Sequence, residues 1–345
     1  MKIALCSSFM PFIRGGGRNI VDWLASTLTE AGHQVEVVYL PELDSPPDIL
    51  FQQMMALRWV DLKAADRIIC FRPQAHLIPH PHKILWFIHH IRTFYDLWDS
   101  PYRDFPDTAH NRAIRESLID VDTRAMGEAK TVFTNSKVVS ERLKTFNGVE
   151  SEVLYPPVFE PERFFSAGYN DEIVCICRLE HYKRQHLLIE ALSYTKAPVR
   201  LRIMGTGASP DYGIALQQKA QLCNVADRVI VEDRWITEEE KVEHLSQCLA
   251  AAYLPIDEDS YGYPSLEASH AQKAVLTTSD SGGVLELIQD GYNGYIAEPT
   301  PESLARAMDK LYRDKNVTEA MGKNARQRLV DLKISWSQVL ERLLA

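Results

Sequence analysis

The chain has 345 residues, 46% of them hydrophobic and 25% charged, and a formal net charge of −9. That length exceeds one ordinary hydrophobic core and predicts two domains, and the composition excludes a disordered chain. An acidic balance with no long Lys/Arg run argues against nucleic acid as a partner, and no stretch approaches the roughly 18 apolar residues of a spanning helix.

The apolar run Met1–Cys6 is too short for a signal peptide and reads as a first strand, Lys2–Cys6. Further strands are predicted at Val35–Leu40, Arg67–Phe71, Ile84–Ile88, Thr131–Asn135 and Glu152–Tyr155. Amphipathic stretches lie between them, such as Arg18–Ala31, where Ile20, Leu24 and Leu28 recur every four residues. Tyr155-Pro156-Pro157 interrupts the rhythm, and Phe159 to Asn170 is irregular. Strands resume at Glu172–Cys177, Val199–Met204, Arg228–Val231, Leu249–Leu254 and Ala274–Thr278. Helices are predicted at Arg184–Tyr194, Glu238–Gln247 and Pro264–Ala271. Near-continuous apolar strands alternating with helices imply parallel sheets covered on both faces. The fold class is α/β, with two Rossmann-like doubly wound domains at 1–160 and 171–328. Ligands of such sheets lie beyond the carboxyl ends of the strands, which directs attention to the residues just after them.

Cys6, Cys70, Cys175, Cys177, Cys223 and Cys248 are scattered without metal or redox spacing. They read as reduced structural thiols, which points to the cytoplasm, with peripheral contact at the inner face of a membrane left open. His76, His80 and His82 fall in a proline-punctuated stretch with no neighbouring carboxylate or thiol, and read as a solvated loop with no metal.

Three constellations follow strands. Arg14-Gly15-Gly16-Gly17-Arg18 precedes a helix and could bring backbone amides to a phosphate, with Gly16 and Gly17 the closest. It could equally be a flexible loop, and it is neither GxGxxG nor a Walker A sequence. Arg178 and Lys183 are two cations at a strand end that could converge on a diphosphate or stay solvated. Gly205-Thr206-Gly207 supplies a tight turn after the next strand. In Asp257–Glu267, Pro264 opens a helix whose N-terminus includes Tyr261, Gly262 and Tyr263, with Glu267 one turn in. Glu267 could accept two hydrogen bonds from a ribose diol, or simply stabilise the helix.

Taken together, these residues resemble the retaining glycosyltransferases of family 4, of GT-B architecture. The resemblance includes Thr134-Asn135-Ser136, Val153–Val158, Ser281-Gly282-Gly283 and Ile334-Ser335-Trp336. It implies two domains facing across a cleft, with residues 329–345 packing back on the first. It implies transfer of a hexose-type sugar from a UDP- or GDP-sugar to a glycan or lipid-linked acceptor, with no metal or other cofactor required. Arg178 and Lys183 would hold the diphosphate, with Gly16, Gly17 and Gly205 nearby. Tyr261, Gly262, Tyr263, Ser265, Leu266 and Glu267 would bind the rest of the donor. His89, ahead of His90, and Asp259 would face the transferred sugar. The family pattern has Glu where this chain has Asp259, so Glu258 is a rival for that role. Val231–Trp235 also lacks the family's glycine before the base. The aromatics Phe94, Tyr95, Trp98, Tyr102 and Phe105 suit an acceptor sugar or lipid, or core packing. A nucleotide-sugar epimerase and a silent nucleotide-sugar-binding subunit are the alternatives.

Overall fold

The computed structural model describes residues 1–9, 15–41, 46–100, 102–103, 105–207 and 209–345. Arg14 of the glycine-rich segment lies outside them. The chain forms two compact units, Met1–Pro157 with Ser335–Ala345, and Val158–Ile334.

In the first unit six strands form one parallel sheet: β1 Lys2–Phe9, β2 Gln34–Pro41, β3 Arg67–Cys70, β4 Lys83–Phe87, β5 Thr131–Thr134 and β6 Glu152–Val153. Their order is β2-β1-β3-β4-β5-β6. The helices are α1 Gly16–Glu30, α2 Ile49–Arg58, α3 Ala109–Met126 and α4 Lys137–Asn147. Ile20, Val21, Leu24 and Leu28 of α1 cover one face, against Ile3, Leu5, Ile69, Phe71 and Trp86. On the other face Leu50, Met54, Ile114, Leu118, Val139 and Leu143 from α2, α3 and α4 pack on Cys6, Ile68, Cys70, Leu85 and Phe87. The four-residue spacing of those helical apolar positions produces one buried stripe per helix.

One open sequence reading is decided here and another needs correction. Of the aromatic stretch, Phe94, Tyr95, Trp98 and Phe105 are buried in that second face, and only Tyr102 is exposed. They are core, because loops over a strand end must cover the apolar sheet beneath. In the histidine stretch only His82 is exposed as expected, while His76 and His80 are buried. Asp122 of α3 supplies the missing polar partner, accepting from His76 Nε2 at 2.8 Å and from the Tyr95 hydroxyl at 2.6 Å.

The second unit has strands β7 Glu172–Ile176, β8 Arg200–Gly205, β9 Val229–Asp233, β10 Ala250–Ala252, β11 Val275–Thr278 and β12 Gly294–Ala297. They form a parallel sheet in the order β12-β11-β10-β7-β8-β9. Its helices are α5 Gln185–Leu192, α6 Asp211–Leu222, α7 Glu238–Gln247, α8 Tyr263–His270, α9 Val284–Leu287, α10 Pro301–Arg313 and α11 Lys315–Asp331. The core joins Leu188, Leu192 and Leu216 to Ile173, Leu201, Ile203 and Leu276, with Leu304, Met308 and Leu311 of α10. β12 has no counterpart among the predicted strands. The last helix, α12 Trp336–Leu344, belongs to the first unit, where Val339 and Leu343 join the α1 face.

In both sheets the chain reverses its direction of growth beside the first strand, between β1 and β3 and between β7 and β10. Such reversals leave a crevice beyond the carboxyl ends of the two strands, because the following loops diverge to opposite faces.

Candidate active site

At the β7/β10 reversal the structure gathers most of the residues expected from sequence. Arg178 follows β7 and is exposed, and its guanidinium donates to the Tyr182 hydroxyl at 2.7 Å. The loop stays close to β8 because of two glycines. Gly205 has φ +147, and a Cβ there would lie 1.9 Å from the Cys177 carbonyl oxygen. A Cβ on Gly207 would lie 2.6 Å from the Leu179 carbonyl oxygen. The Gly-x-Gly is thus a close backbone approach that lays the Arg178 loop across the end of β8.

Lys183 closes the short turn His181–Lys183 and is buried. Its ammonium donates to the Tyr253 hydroxyl at 2.7 Å and is paired with Glu258. Tyr253, just past β10, donates to the same Glu258 oxygen at 2.9 Å. Tyr182 links the two cations, its ring centroid lying 5.0 Å from Lys183 Nζ while its hydroxyl accepts from Arg178. Glu258 is therefore the partner of Lys183, which separates its role from that of the half-buried Asp259 beside it. The loop carrying both is pressed by Gly282 and Gly283: the Gly283 amide donates to the Glu258 carbonyl at 2.8 Å. A Cβ on Gly283 would lie 2.5 Å from Ser260 Cα. Sequence reasoning missed Arg184, which is buried with φ +55 and bonded to the Leu254 and Pro255 carbonyls and, at 2.7 Å, to both oxygens of Asp280. It ties the ends of β10 and β11 to the start of α5.

Helix α8 begins at Tyr263 with Pro264 in its first turn and Gly262 as its cap. Gly262 has φ +69, and a Cβ would lie 2.3 Å from the Tyr253 ring, so glycine is required for the helix to start against Tyr253. Tyr261 is buried, and the Leu266 side chain is wholly in the core. The Ser265 hydroxyl donates to the Tyr261 and Gly262 carbonyls. Leu266 and Ser265 therefore turn their side chains inward. Glu267 is 4% exposed, and burial pushes its pKa above the ordinary carboxylate range while Lys241 of α7 pulls it back. Lys241 Nζ reaches Glu267 Oε1 at 2.8 Å.

The first unit holds the other expected residues. Gly16 and Gly17 form the first turn of α1, capped by the extended Gly15 with no side-chain bond. A Cβ on Gly17 would stand 3.4 Å from Arg72 Cδ, which places Arg72, after β3, at the β1/β3 reversal. Nothing in its sequence neighbourhood marked it. His89 is half-buried and its Nδ1–H donates to the His90 carbonyl at 2.7 Å. His90, its rival, is buried, with Nε2 2.9 Å from Asn147 Oδ1 and its ring centroid 4.1 Å from that of Tyr95. Burial pushes the His90 pKa down to about 4, so it is a neutral packing group at physiological pH.

Among the described residues no helix is long and apolar enough to cross a membrane. No group of three or more His, Cys, Asp or Glu among them could hold a metal ion. All six cysteines are free thiols.

Residues 160–328 match the family of glycosyl transferases group 1. The chain is 24% identical over 335 residues to the human alpha-1,3/1,6-mannosyltransferase ALG2, covering 89% of this chain and 77% of that protein. It superposes with a TM-score of 0.72 on Anabaena Alr3699/HepE in complex with UDP, at 19% identity and 99% coverage of both chains. With sucrose-phosphate synthase of Thermosynechococcus elongatus the TM-score is 0.77 at 15% identity, over 99% of this chain and 97% of that one. With glycines, cations and a buried carboxylate at the strand ends of the matching segment, the chain is a glycosyltransferase of GT-B architecture.

Proposed function

We propose that the protein is a retaining hexosyltransferase that takes a hexose from a UDP- or GDP-sugar and delivers it to a glycan or lipid-linked acceptor. The observation that carries the reading is the gathering of Arg178, Lys183, the α8 N-terminus and Glu267 at one sheet reversal. Negative charge grows on the diphosphate as the bond to the anomeric carbon breaks. Arg178, Lys183 and the first amides of α8 are the electropositive groups placed to stabilise it, a preorganised contribution of several (~3–4) kcal/mol. On this reading turnover needs no divalent ion and persists in EDTA.

Glu267 accepts from the ribose diol, and Asp259 takes the sugar role while Glu258 holds Lys183. His89 faces the transferred sugar. Retention follows from attack on the face the diphosphate leaves, with the acceptor proton passing to the departing phosphate oxygen. The human relative's name supports a hexosyl transfer, and the UDP held by Anabaena Alr3699/HepE supports a nucleotide donor.

Thermal unfolding with UDP, GDP and their sugars tests this. A ligand at 100 times its Kd adds about 2.7 kcal/mol, which should raise Tm by several (~3–8) degrees. A shift with one base names the donor class. No shift with any of them contradicts the reading.

A further inference from the structure

We propose that Lys241 is a positioning residue that keeps the Glu267 carboxylate ionised and oriented for the donor ribose, and that Glu238 and Arg163 hold Lys241 in place. The inference rests on the reading of Glu267 as the diol acceptor and goes beyond it by naming what makes that acceptor work.

A ribose diol presents two O–H donors, which an ionised carboxylate can accept together, whereas a protonated one gives up acceptor capacity to its own O–H. Glu267 lies in surroundings that oppose ionisation, since it is 4% exposed on α8. A charge so buried persists only with a close opposite charge. The charged groups facing it are Lys241 and Glu238 from α7 and Arg163 from the turn Pro161–Arg163, with the Tyr263 hydroxyl on its own helix. Of these, Lys241 alone among the described residues makes a direct ion pair with it, at 2.8 Å.

Lys241 is itself 15% exposed in its side chain, and burial alone would lower its pKa; Glu267 and Glu238 reverse that, and the net shift is upward. Its ammonium also donates to Glu238 Oε1 at 2.8 Å, and Glu238 Oε2 accepts from Arg163 Nη2 at 2.6 Å. Charges therefore alternate from Glu267 outward. The outer pair opens on a cavity of about 550 Å³ lined also by Glu160, Phe165, Glu239 and Glu243. The base of Lys241 is fixed by its helix start. The Thr237 hydroxyl accepts from the Glu240 amide at 3.2 Å, and Glu240 accepts back from the Thr237 amide at 2.9 Å. A lysine so held turns a weak buried acid into a permanent acceptor, and it uses only one oxygen of the carboxylate.

The test is calorimetric titration of UDP and GDP between pH 6 and 8.5 into the full chain and its variants, with folding checked by circular dichroism. For the nucleotide that binds, each Kd is read as a ratio to the wild-type Kd at the same pH, which cancels the titration of the nucleotide's own terminal phosphate near pH 6 and makes the wild-type profile the flat reference. Lys241→Met is expected to bind about 10-fold more weakly at pH 6.5, the loss of one charge-assisted contact, and to recover as pH rises and Glu267 ionises. Lys241→Arg restores the flat profile, and Glu238→Gln gives a smaller tilt of the same sign. The corresponding 2′-deoxynucleotide loses less in Lys241→Met than the ribonucleotide does, because one of its two diol contacts is already gone. A flat wild-type-like profile in Lys241→Met, with Glu267→Ala binding weakly, overturns the inference alone. Wild-type affinity in Glu267→Ala overturns the reading beneath it as well.

Discussion

The two units solve the end of a parallel sheet in different ways. In the second, the reversal beside β7 is built from charges in pairs: Lys183 with Glu258, Arg184 with Asp280, and Lys241 with Glu267. In the first, the loop after β4 rests on a neutral imidazole, His90, bonded to an amide oxygen and packed at a tilt against the Tyr95 ring. A paired cation can be handed to an incoming anion at modest cost, because its charge is already placed and partly desolvated. A buried neutral imidazole holds backbone in place and gains nothing by charging. The difference assigns reactive electrostatics to the second unit and geometric support to the His89 turn.

The contrast breaks most visibly at Lys183. Lys183→Ala should lower turnover by about 10²–10³-fold, roughly 3–4 kcal/mol of charge stabilisation, with the fold retained by circular dichroism. An unchanged rate would remove Lys183 from the diphosphate role.

The neutral support in the first unit should show in acid. The folded pKa of His90, about 4, lies below its unfolded value, so the unfolded chain binds the extra proton first. Stability from this group is complete above about pH 6.5 and falls progressively towards pH 4, by roughly 2 kcal/mol at pH 5. His270 of the second unit, lowered to about 3 by burial and by Arg326, has the same sign. Urea midpoints at pH 7 and pH 5 should therefore drop in the wild type and drop less in His90→Gln. Equal drops would mean that His90 takes up no proton on unfolding.

The smallest effect sharpens the handover. Glu258→Gln removes the charge that competes with a diphosphate for Lys183, a term of about 1 kcal/mol. Affinity for the nucleoside diphosphate should rise about fivefold by calorimetry. Weaker binding would show instead that Glu258 matters for placing Lys183 more than for neutralising it.

What could be read beforehand followed from local pattern. Continuous apolar runs such as Ile3–Cys6 and Ile173–Cys175 marked central strands, and the strand-end rule then singled out Arg178, Lys183 and Glu267. What escaped notice depends on partners distant in the chain. Lys241 meets Glu267 across 26 positions, Lys183 meets Glu258 across 75, and Arg184 meets Asp280 across 96. His76 looked solvated for the same reason, since Asp122 lies 46 positions away. β12 was missed because Gly294 looks like a breaker. It is a glycine of necessity, since a Cβ would stand 2.1 Å from the Val275 carbonyl oxygen.

The assignment of α12 to the first unit has a consequence for how the molecule is made. Val339 and Leu343 complete a layer that begins with Ile3 and Leu5, so synthesis separates the two sides of one core by the whole of the second unit. The second unit, Val158–Ile334, is continuous and can fold as it leaves the ribosome. The first must wait, with an apolar stripe of α1 and β1 uncovered until α12 emerges. A chain stopped at Ile334 would keep that stripe bare, losing about 2 kcal/mol for each of the two buried side chains. The nascent first unit is therefore the part that a chaperone would find, and the part where aggregation would begin.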